Sequence, residues 1–185
     1  MEKNHSEYED LFDQAMSLEN EGKTGPALAL LQDLAKTLSI EGNSSRYARV
    51  LVNIGLMEVS LGLYKDALID LDKARTEFET IGDEFEVAKV SGNIGSCHRD
   101  LNQFEEALKW YQESLRLFTR IHSLEGIADQ KSNIGYIYAL LGEFESALRY
   151  FMDVRQDYGR LGMVQKEQDT ITNIIQIEKF MDEDG

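Results

Sequence analysis

"NIGLMEVSLG" at residues 53–62, "NIGSCHRDLN" at 93–102 and "NIGYIYALLG" at 133–142 begin alike and lie 40 residues apart. Around the first, Val50, Ile54, Met57 and Leu61 follow the i, i+4, i+7, i+11 spacing of one helical face. Asparagine is a mediocre helix former, because its amide competes for nearby backbone groups. Its return at Asn53, Asn93 and Asn133 therefore marks a repeated device. "TNIIQIEKF" at 172–180 puts Asn173 in the same register.

Working outward, the same period stacks "LGLYKDAL" (61–68), "LNQFEEAL" (101–108) and "LGEFESAL" (141–148), with "EGKTGPAL" (21–28) in register before them. Gly42, Gly82, His122 and Gly162 stack as well. Each unit reads as two helices of about 17 residues, roughly 25 Å long at 1.5 Å per residue. Gly62 ends a first helix in the left-handed conformation. The second carries Ala67, Leu68, Leu71, Ala74, Phe78 and Ile81 up to Gly82. Pro26 falls in the first turn of the earliest second helix, where its missing N–H costs little. No strand pattern competes.

The period predicts one domain over residues 5–182, with repeats at about 5–42, 43–82, 83–122 and 123–162 and a capping helix at 164–182. Each repeat buries its apolar face only against a neighbour, so the expected fold is all-α. It is a right-handed α-solenoid of antiparallel helix pairs, with about nine helices. Gly55, Gly95 and Gly135, with Ala67, Ala107 and Ala147, let paired helices approach closely. In the last unit Ile175 stands where that glycine is expected.

Composition agrees with helices and narrows function. The 185 residues include a single proline, 42% hydrophobic and 29% charged residues, an ordinary soluble profile. A formal charge of −15 lacks the basic footprint that nucleic-acid binding needs. No apolar run approaches the roughly 20 residues that span a bilayer. The lone Cys97 excludes an internal disulfide and reads as a buried structural thiol in a reducing compartment. The polar start "MEKNHSEYED" is unlike a signal peptide, so the expected location is cytoplasmic.

The pattern resembles the tetratricopeptide repeat, W-x2-L-G-x2-Y followed by A-x3-F and then P. The corresponding residues are Leu51, Ile54, Gly55 and Glu58, then Ser91, Ile94, Gly95 and His98, then Lys131, Ile134, Gly135 and Tyr138. Second halves are Ala67 with Leu71, Ala107 with Tyr111, and Ala147 with Phe151. The tryptophan is absent, and no proline closes the second helix, which accounts for 40 residues instead of 34. Lengthened repeats with N-I-G or N-L-G are similar to those of kinesin light chains, cell-polarity adaptors and bacterial peptide-pheromone receptors.

No convergent catalytic constellation is visible, so the chain does not read as an enzyme. His5, His98 and His122 share no metal-ligand spacing, and no phosphate-binding glycine loop occurs. Neither metal nor cofactor is expected. The resemblance implies that first helices line a concave groove, with Asp13, Asn53, Asn93, Asn133 and Asn173 along it. An amide donates and accepts, so it can hold a peptide's main chain without reading side chains. Helices about 10 Å apart and an extended rise of about 3.3 Å per residue give one rung per three ligand residues. In similar repeats such asparagines clamp a bound segment. The competing reading is that each asparagine bonds only to the neighbouring helix.

One turn before each rung stand Glu9, Arg49, Lys89, Asp129 and Asp169, and one turn after stand Met16, Leu56, Ser96, Tyr136 and Gln176. Half the groove is thus expected to be basic, at Arg49 and Lys89, and half acidic, at Asp129 and Asp169. Scattered surface charge is the alternative. The clamp of a chaperone-tail adaptor is missing, since Glu9, Asp13 and Met16 fill its first slots. The expected partner is a protein or peptide, held extended or as a short helix. The alternative is self-assembly as a homodimer through the C-terminal helix, which carries Ile171, Ile174, Ile175 and Phe180.

Overall fold

Leucine and alanine at helical spacing, broken every 20 residues by a turn, produce antiparallel helices. A computed structural model describes residues 2–183, with side-chain surroundings for residues 8–182; the side chain of His5 lies outside them. Among the described residues there are nine α-helices and no strand. They are α1 (Glu2–Asn20), α2 (Thr24–Glu41), α3 (Ser44–Ser60), α4 (Tyr64–Ile81), α5 (Glu84–Asp100), α6 (Phe104–Arg120), α7 (Leu124–Leu140), α8 (Phe144–Leu161) and α9 (Val164–Glu183). The first helices α3, α5, α7 and α9 begin at residues 44, 84, 124 and 164, 40 residues apart.

Turn chemistry sets those boundaries. The loop glycines, among them Gly42, Gly62, Gly82 and Gly162, take positive φ values between 69° and 81°. Asn102 and His122 hold the same left-handed conformation at 57° and 56° without being glycine. Beyond the turn, Asn43 Oδ1 accepts from the Arg46 N–H at 3.3 Å and Asp83 Oδ1 from the Glu86 N–H at 3.1 Å. These bonds satisfy N–H groups that a starting helix leaves open.

The chain divides into two compact units, Met1–Cys97 and His98–Gly185, so the last three residues of α5 belong to the second. The first unit is cored by Leu31, Leu38, Val50 and Ile54, with Ala15, Ala27 and Ala74 as the small partners between helices. In the second, Ala107, Tyr111, Ile134 and Ile137 form one cluster, and Ala147, Phe151, Ile174 and Ile177 another. Truncating a fully buried ring such as Phe151 to alanine costs about 3–5 kcal/mol.

Two glycines show why the repeat keeps them. A Cβ on Gly55 would lie 2.7 Å from Leu71 Cγ, and one on Gly135 would lie 3.0 Å from Tyr150 Cβ. The first and second helices of a repeat therefore touch at backbone distance. Ile175 occupies the same slot on α9 and is 59% exposed.

Candidate functional site

The four asparagines fall on α3, α5, α7 and α9, the first helices, and all four are half-buried. Asn53 donates through Nδ2 to the Arg49 carbonyl of its own helix at 2.8 Å. Asn93, Asn133 and Asn173 have no side-chain hydrogen bond among the described residues. No asparagine of the column bonds to a neighbouring helix. Three amides thus stand with donor and acceptor both open to solvent or to a guest.

In the second unit a small pocket of about 130 Å³ opens between α7 and α9. Tyr136, Leu140 and Ala139 line it from α7; Asn173, Gln176, Ile177 and Phe180 line it from α9. Phe144 and Phe151 line it from α8. The Phe144 and Phe180 rings stack at 6.3 Å between centroids, 7° from parallel. An apolar floor with amides at the wall is the usual make-up of a recognition pocket. Tyr136 and Asn173 were expected on this face; Leu140, Phe144 and Phe180 were not assigned to it. The signal was available seven residues after each rung, where the chain reads Ser60, Asp100, Leu140, Phe180.

The charges fall differently from the expectation. Asp129 is engaged within the protein: the Tyr158 hydroxyl donates to it at 2.7 Å and Lys166 Nζ at 2.7 and 2.9 Å. Lys166 also reaches Glu125 at 3.1 Å. Burial pulls the Lys166 ammonium down, and the hydrogen bonds to Asp129 and Glu125 outweigh it, leaving its pKa above the lysine norm. Burial, then Asp129, push the Tyr158 hydroxyl upward. A carboxylate engaged in this way attracts a basic ligand less than a free one does. Asp169 accepts from Gln165 Nε2 at 2.9 Å. In the first unit Arg49 is exposed, whereas Lys89 pairs with Glu86 at 3.0 Å and lies 5.5 Å from the Phe85 ring centroid.

One group was not anticipated. Glu58 on α3 is 4% exposed and its Oε2 has no partner. Burial first, then the Asp70 and Asp66 carboxylates, raise its pKa to about 7, with Lys73 opposing. Asp70 and Lys73 also line a wider concavity of about 510 Å³ with Tyr47, Leu51 and Ile54. Among the described residues, no three His, Cys, Asp or Glu side chains gather where they could hold a metal ion. No described helix is long and apolar enough to cross a membrane.

Stacked helix pairs with small residues at their contacts, and open amides on the first helices, define a helical-repeat protein. A family model for the tetratricopeptide repeat matches residues 46–120 and 86–160. The chain belongs to the tetratricopeptide repeat family.

No curated protein matches the chain. Among solved structures it is similar to RapI in its apo form, with TM-score 0.84, 15% identity, and 96% of this chain and 65% of that one covered. Aspartyl phosphate phosphatase F from Bacillus subtilis aligns with TM-score 0.79 and 16% identity over 95% of this chain and 50% of that one. The Rap conjugation gene regulator of the plasmid pLS20, in complex with the Phr peptide, gives 0.73 and 18% over 88% and 45%. The chain thus spans 65% or less of each of these three. At such identities the likeness is one of fold: an α-solenoid of tetratricopeptide type.

Proposed function

We propose that the protein is an interaction scaffold, holding an extended or short helical segment of a partner protein against its first-helix face. The open amides of Asn173 and Gln176 at the apolar pocket carry this reading, with that of Asn133 on α7, the helix that supplies Tyr136. Amides at helix spacing suit a main chain, and a pocket suits one of its side chains. In the first unit Asn93 offers a similar open amide and Arg49 an exposed guanidinium, while Asn53 and Lys89 are engaged within the protein. The solved relative bound to a Phr peptide supports a peptide as the guest. A protein partner also suits the net charge of −15 better than nucleic acid does. The role is binding without catalysis, in the cytoplasm.

Panning a phage-displayed random peptide library on immobilised protein tests this. Wild type should enrich peptides that the Asn133→Ala, Asn173→Ala double variant does not, with equal helical circular dichroism. Equal enrichment on both would remove the asparagines from the site.

Self-association is a second reading, favoured by the exposure of Val164 (74%) and Ile175 (59%) on α9. Light scattering should then show a concentration-dependent dimer that Ile175→Glu abolishes. A monomer at every concentration would dispose of it.

A further inference from the structure

Arg99, at the end of α5 in the second unit, lies with its guanidinium carbon 5.8 Å from the Tyr136 ring centroid. Its Nε donates to Asp100 Oδ1 at 2.8 Å. Both terminal amino groups of the guanidinium are left without a partner among the described residues. Tyr136 is also a wall of the pocket between α7 and α9. One ring therefore joins a place for an apolar side chain to a place for a negative charge. The pocket's volume of about 130 Å³ is on the scale of one large side chain. Its walls contribute the amides of Asn173 and Gln176 and no charged group.

We propose that the second unit selects peptides carrying a large apolar residue within two positions of a carboxylate. The apolar residue enters the Phe144–Phe180 pocket and the carboxylate bridges the terminal amino groups of Arg99. This rests on the peptide-binding reading and adds to it the sequence that is chosen. The separation is set by the one ring they share: the guanidinium carbon lies 5.8 Å from the centroid of Tyr136, a pocket wall, and an extended chain advances about 3.3 Å per residue. Two adjacent amino groups of one guanidinium match a carboxylate geometrically, although the ion pair with Asp100 lowers the net charge that the ligand meets. The preference is opposite to the one read from Asp129, whose charge Lys166 already satisfies.

The test sorts the peptides enriched by panning. Wild type should select Leu, Met or Phe close to Asp or Glu. Arg99→Glu should replace the acidic residue by Lys or Arg while keeping the apolar one. Ala139→Phe, which fills the pocket, should lose the apolar preference and keep some enrichment through the asparagines. Helical circular dichroism on both variants checks the fold, and Arg99→Glu alone suffices if Ala139→Phe misfolds. A free peptide and its C-terminal amide then show whether the carboxylate is a side chain or a terminus. Enriched peptides without the apolar–acidic pair, or with a basic partner on wild type, would overturn this inference while leaving the scaffold reading intact. Enrichment that Asn133→Ala, Asn173→Ala does not alter would count against the scaffold reading itself.

Discussion

Lys166 Nζ lies 2.7 Å from Asp129 Oδ1, tying the first turn of α9 to α7. Tyr158 of α8 donates to the same oxygen, so three helices meet at one carboxylate. The ammonium and carboxylate are 38% and 35% exposed, and water screens their attraction. The tyrosine is only 4% exposed. Lys166→Met should therefore cost less than about 1 kcal/mol, and Tyr158→Phe about 1–2 kcal/mol, since it removes a buried donor. Urea unfolding of the two variants reads the order. A larger loss for Lys166→Met would mean that the ion pair dominates.

Gly55 offers a sharper test of packing. Its Cβ would meet Leu71 Cγ at 2.7 Å, inside contact distance, between two buried helices. Gly55→Ala should destabilise by about 1–3 kcal/mol despite alanine's better helix propensity. Gly25→Ala, where an added Cβ meets nothing within 4 Å, should be neutral or stabilising. Equal responses in urea would show that close approach at Gly55 is unimportant.

Glu58 predicts a pH dependence. The unfolded chain releases this proton near the ordinary value of 4.5, and the folded chain only near about 7. Between those values the folded state holds more protons, so its contribution to stability falls as pH rises and levels off above 7. The difference is up to roughly 3 kcal/mol, reduced by whatever water reaches the carboxylate. Glu58→Gln should flatten the fall in thermal midpoint between pH 5 and pH 8 relative to wild type. A fall of unchanged size in the variant would assign it to other groups.

Helices, turns and the glycine contacts were legible because each depends on a local pattern that recurs at 40 residues. Of the three Asn-Ile-Gly triplets, two keep an open amide, at Asn93 and Asn133, while Asn53 bonds to its own helix; all three isoleucines are buried, and Gly55 and Gly135 make close helix contacts. What escaped depends on pairs far apart in sequence. Nothing in the sequence signals that Asp129 has an internal partner, because Lys166 is 37 residues away on another helix. The neighbourhood of Arg99 is equally hidden, because its contact with Tyr136 lies across a turn and a whole helix. Glu58 occupied a column that elsewhere holds His98 and Tyr138, and nothing local disclosed how thoroughly it is buried.

The central claim is that the asparagine amides hold a guest and do not hold the fold together. The most direct measurement is calorimetric titration of a panned peptide into wild type and into Asn133→Ala, Asn173→Ala, with a thermal scan of each. The affinity should be at least about tenfold weaker in the variant, or about 1.4 kcal/mol, with thermal midpoints within about 2 °C. An unchanged affinity, or a midpoint lower by more than about 5 °C, would contradict it.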